Sequence, residues 1–87
     1  MPTMRLLLQQ PPIAGETPKF VQLILQQDLL GGWALLRETG QIGGKTQLKR
    51  EQYLDRDSAL AAFEKARDQQ VSKGFHVMFA QGAEAPR

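Results

Sequence analysis

Cysteine is absent from this chain of 87 residues, and histidine, tryptophan and tyrosine occur once each. Small secreted domains usually rely on disulfides, so the lack of cysteine favours a cytoplasmic setting. The single histidine, His76, has no second histidine or cysteine to complete a metal site or a nucleophile pair, and reads as a strand-face residue. Long apolar runs are missing too. The longest, Ala59 to Phe63, falls far short of the ~20 residues that cross a bilayer, so no membrane span is expected. The opening segment MPTMRLLLQQPP has neither the apolar length nor the small-residue cleavage site of a secretory signal.

Catalytic constellations are equally scarce. The two serines, Ser58 and Ser72, fall at the ends of a predicted helix, where capping accounts for them. Glu64 and Asp68 stand four apart on its exposed face, where they repel mildly and form no buried acid and base pair. GQIGGK lacks the spacing and the strand-to-helix setting of a phosphate-binding loop. A non-enzyme with no cofactor and no metal is expected.

What is present suits one small domain: 41% hydrophobic and 23% charged residues, with a net charge of +2. A chain of this size buries only about two thirds of its unfolded surface, which favours a function on the surface over one in a deep cavity. The charge is uneven. Residues 33–50 carry Arg37, Lys45, Lys49 and Arg50 against Glu38, a net +3, whereas residues 1–32 sum to zero and residues 51–87 to −1. Such a segment serves solubility and sheet-edge protection, or it meets phosphates.

Period and punctuation give the architecture. Met4 to Gln10 reads as a first strand, ended by Pro11 and Pro12, with a loop through residues 13–18. Lys19 to Gln27 alternates, with Val21, Leu23 and Leu25 on one face and Phe20, Gln22, Ile24 and Gln26 on the other. After a turn at Gly31 and Gly32, Trp33 to Glu38 sends Trp33, Leu35 and Arg37 one way and Ala34, Leu36 and Glu38 the other. Trp33 is read as core. Glycines at 40, 43 and 44 interrupt, and Lys45 to Arg50 forms a fourth strand with Lys45, Gln47 and Lys49 in one row. Asp57 is the expected N-cap of a helix ending at Lys73 and Gly74, with Leu60, Phe63 and Ala66 facing the core. Phe75 to Phe79 makes the last strand. The fold class is therefore α+β: an antiparallel sheet of four to five strands, order β-β-β-β-α-β, with one helix on one face. The domain spans residues 4–79, followed by a polar tail at 80–87.

The ordered series PKF-VQLIL, GGWALLRE, a glycine turn, a basic strand and a helix ending KGF resembles the WGR domain, and most closely its stand-alone bacterial members. These typically read near GGWSLVREWGRIG, where this chain has GGWALLRETGQIGG from Gly31 to Gly44. The positions of the naming tripeptide hold Thr39, Gly40 and Gln41. The resemblance implies a nucleic-acid-binding module whose motif tryptophan packs on nucleic acid at a strand end while the arginine makes polar contacts nearby. Thr39 offers no ring to stack, and Gln41 brings amide donors without a charge. The candidate nucleic-acid-binding residues are Arg37, Thr39, Gly40, Gln41, Lys45, Gln47 and Lys49, with DNA or RNA as partner. The alternative is a protein-interaction or self-associating module whose surface was released by loss of the tryptophan and arginine.

Overall fold

In the computed structural model, which describes residues 3–11, 15 and 17–82, strand alternation sorts the side chains onto two faces. The elements are β1 (Met4–Gln9), β2 (Lys19–Gln27), β3 (Trp33–Gln41), β4 (Thr46–Tyr53), α1 (Arg56–Ser72) and β5 (His76–Gln81). The strands form one sheet in the order β4-β3-β2-β1-β5, with every neighbouring pair antiparallel. Since β4 and β5 lie at opposite edges, the chain must cross the whole sheet between them. Helix α1 makes that crossing and covers one face.

The covered face is the one that carries the fully buried leucines. Register pairs Leu6 with Leu23 and Leu25 with Leu35. Leu8, Val21 and Trp33 join them in a buried cluster closed from the helix side by Ala59, Phe63 and Ala66, with Leu60 partly buried against it. Burying a side chain the size of leucine or phenylalanine contributes about 1.5–3 kcal/mol, so this single layer carries most of the stabilisation. Phe20, Gln22, Ile24 and Gln26 take the opposite, uncovered face, as their alternation predicts.

The element ends depart from expectation in instructive ways. The helix is capped by Asp55, two residues before the expected Asp57: its Oδ2 accepts the Ser58 N–H at 2.9 Å, and its Oδ1 accepts the Ser58 hydroxyl at 2.9 Å. Asp57 lies in the first turn, where a carboxylate complements the helix dipole. Strand β3 runs on to Gln41, through Gly40, because the ladder to β2 continues as far as the Lys19–Gln41 pair. Strand β4 opens at Thr46, which leaves Lys45 in the turn and not in the strand, and it continues to Tyr53, opposite Trp33. Strand β5 reaches Gln81, two residues past the expected end, by pairing with Arg5 across a bulge at Leu7 and Leu8. Pro12, residues 13, 14 and 16 of the loop read at 13–18, and the tail from 83 to 87 lie outside the described residues.

Candidate nucleic-acid interface

At one end of the β2–β3 hairpin the ladder pairs Lys19 with Gln41, Phe20 with Gly40 and Val21 with Thr39. The chain then turns at once: the Gly44 N–H donates to the Gln41 carbonyl at 2.9 Å, and the Ile42 N–H to the Pro18 carbonyl at 3.1 Å. Gly40 is fixed by crowding. A Cβ there would lie 2.5 Å from the Lys45 carbonyl oxygen and 2.9 Å from the Thr46 Cα, both backbone atoms, so the returning strand leaves no room for a side chain.

The helix brings the other half of the site. Beyond its C-cap at Lys73, Gly74 adopts φ 95°, the Gly74 N–H donates to the Val71 carbonyl at 3.0 Å and the Phe75 N–H to the Gln70 carbonyl at 3.0 Å. These two bonds are a Schellman cap. The sequence KGF is its signature, and the reversal sets Lys73 and Phe75 beside the hairpin end.

Between the two lies a concavity of about 520 Å³. Exposed Lys19, Lys45 and Lys73 line it, each from a different segment of the chain. Buried Val21 with half-buried Phe20 and Phe75 give it apolar surface, and Thr39, Gly40, Gln41 and Gln70 complete it. Among the described residues no carboxylate lines it. Of the predicted site residues, Thr39, Gly40, Gln41 and Lys45 therefore meet here. Gln47 and Lys49 lie alongside on β4, opposite Thr39 and Arg37 in register, exposed and on the same face of the sheet.

Arg37 is placed differently. It lines a separate recess of about 360 Å³ under the helix, together with Glu51, Tyr53, Lys65 and Gln69. Its Nη2 stands 3.7 Å from Glu51 Oε1, while the Tyr53 hydroxyl donates to Glu51 Oε2 at 3.0 Å. Burial, then the bond to Glu51 and its charge, push the Tyr53 hydroxyl above its ordinary pKa, partly offset by Arg37. Arg37 thus pairs with the exposed carboxylate of Glu51, away from the concavity.

Sequence reading missed Lys19, Lys73, Phe75 and Gln70. Counting charge by segment hid the lysines, because Lys19 comes from a neutral stretch and Lys73 from a net acidic one. The available signal was the pair of short strings PKF and KGF, which converge in space. Trp33 is buried in the core, as expected. His76 is exposed on β5. Among the described residues no three of His, Cys, Asp and Glu gather as a metal site, and no helix is long and apolar enough to cross a membrane.

A sheet crossed on one face by one helix, with a lysine-lined concavity where a hairpin end meets the helix end, defines a small α+β module of the binding type. The sequence model of the WGR domain matches residues 4–80, nearly the whole length, and the chain belongs to that family. The family is associated with nucleic-acid binding. Comparison with curated proteins and with solved structures gives no match to the chain.

Proposed function

We propose that this protein is a non-catalytic nucleic-acid-binding module, with DNA as the first candidate, and that the concavity beside Thr39, Gly40 and Gln41 is its contact surface. The observation that carries this reading is the convergence of Lys19, Lys45 and Lys73 on an apolar-walled hollow with no carboxylate among its described lining residues. Three cations held together gain by releasing counterions from a phosphate backbone, and a phenylalanine such as Phe75 offers a surface on which a base or sugar packs. Lys49 and Gln47 extend the contact along β4, while Arg37, paired with Glu51 in its own recess, stands outside it.

The contacts on offer are charge and packing, with few groups aimed at base edges, so binding should be weakly sequence-selective. The test is a salt-titrated binding assay against single-stranded DNA, duplex DNA with and without accessible ends, and RNA. Affinity is expected to fall with a log–log slope near −3 on duplex DNA, about 0.9 per phosphate neutralised. Lys19→Glu with Lys73→Glu should abolish binding, and Lys45→Glu with Lys49→Glu should weaken it across all sequences. Salt-insensitive binding, or none to any of these probes, would overturn the reading in favour of a protein partner.

A further inference from the structure

The opposite end of the β2–β3 hairpin carries a feature that nucleic-acid binding does not use. Leu29 and Leu30 at its tip are 97% and 96% exposed, and Leu54, in the link from β4 to α1, is 94% exposed. They share one end of the molecule, because Gly32 abuts the Tyr53 carbonyl and Trp33 pairs with Tyr53. The tip is built: Asp28 Oδ1 accepts the Leu30 and Gly32 N–H groups, each at 2.9 Å, and the Asp28 N–H donates to the Gly32 carbonyl at 2.9 Å. A turn pinned by three bonds presents its leucines at small further entropic cost.

The charge around these leucines names the occupant they fit. Among the described residues of the tip and of the link from β4 into α1, Asp28, Asp55 and Asp57 stand beside them against Arg56, so the described tip is net acidic and is repelled by phosphates and anionic lipid. Its complement is an apolar hollow lined by cations. The same chain carries one, the concavity of Lys19, Lys45, Lys73, Val21 and Phe75. The two lie at opposite ends of β3, separated by about 26 Å of extended strand, so one copy cannot satisfy itself. We infer that the leucine tip of one copy seats in the lysine-lined concavity of the next, in a head-to-tail association. Such a contact is heterologous and leaves a free tip and a free concavity at the ends of every open chain. It also occupies the surface assigned to nucleic acid, and only this competition rests on that reading.

The test is sedimentation velocity of the full chain without nucleic acid, up to about 1 mM, the weak end of specific affinity. Mass should rise with concentration and fall back with salt. Leu29→Ser with Leu30→Ser removes the tip, and Lys19→Glu with Lys73→Glu removes the concavity. Each variant alone should stay monomeric while retaining the parent's circular dichroism spectrum. An equimolar mixture of the two should form heterodimers and nothing larger, since only one tip and one concavity remain. Leu54→Ser serves as a second tip variant and should weaken association at least several-fold. A monomeric parent at the highest concentration, an unaffected tip variant, or a mixture that stays monomeric while the parent associates would each overturn the inference. Adding duplex DNA should dissociate the parent's assemblies. Assemblies that form but resist DNA would leave the association standing and count against the shared surface alone.

Discussion

The backbone N–H of Phe75 donates to the carbonyl of Gln70, and both residues line the lysine-rich concavity. The helix therefore ends in the bond that also builds the site, and Gly74 at φ 95° makes that bond possible. A side chain in this backbone conformation costs about 1–2 kcal/mol. Gly74→Ala is expected to lose roughly that much in urea unfolding and to weaken nucleic-acid binding beyond its loss of stability, because Lys73 and Phe75 would be displaced together. Gly74→Asn should lose less, since asparagine tolerates the left-handed region. Equal stability of Gly74→Ala and the parent would show that the cap is dispensable.

Phe63 is the largest fully buried side chain of the helix and stands over the sheet's leucine layer. Phe63→Ala should cost about 3 kcal/mol or more, because a thin two-layer domain has little material with which to refill the space. Denaturant unfolding with an unchanged slope measures this directly. A loss under about half a kcal/mol would mean that the helix does not bury this ring.

Much of this core was legible in the sequence, for a physical reason. Period-two alternation in Lys19 to Gln27 and helical spacing of Phe63 and Ala66 are signals each segment carries by itself. The faces of β2 and β3 follow from them directly. The concavity was legible only in part. Thr39, Gly40, Gln41 and Lys45 are neighbours along the chain, but Lys19 and Lys73 join them only through strand order and the direction of the helix crossing. Arg37 shows the converse. Adjacent in sequence to the motif, it is held by Glu51, a partner that only the β3–β4 register supplies. Asp55 was missed because Asp57 and Ser58 form an equally good capping string, and the reach of β4 to Tyr53 decides between them.

The cap at Asp55 predicts a pH dependence. Its carboxyl is held below the ordinary 3.8, first by the Ser58 backbone N–H and then by the Ser58 hydroxyl. The folded protein therefore binds this proton less readily than the unfolded chain does. The stabilisation is complete above the ordinary aspartate range and is lost as pH falls through it toward the lower folded value. Asp55→Ala should lower the thermal midpoint at neutral pH, and the gap to the parent should narrow as pH drops below about 4. Asp55→Asn keeps an acceptor without a titrating group, so its midpoint should follow a flatter pH profile. A gap between Asp55→Ala and the parent that is constant with pH would remove the carboxylate from the cap.

Thr39 and Gln41 offer the most direct route to the function, because they stand where the family carries its tryptophan and arginine, and both line the concavity. Thr39 lies between Val21 and Gln47 in register, and Gln41 lies opposite Lys19. A tryptophan at 39 would add a stacking surface beside Val21, and an arginine at 41 a fourth cation next to Lys19. For Thr39→Trp with Gln41→Arg, affinity for nucleic acid should rise by about 1–3 kcal/mol from stacking, largely independent of salt. The salt slope should steepen by about one released counterion from the arginine. The single change Gln41→Arg should steepen the slope without the salt-independent gain, and Thr39→Trp alone should do the reverse. If the double variant folds and still binds none of the DNA and RNA probes, and the lysine reversals also change nothing, the concavity is not a nucleic-acid surface.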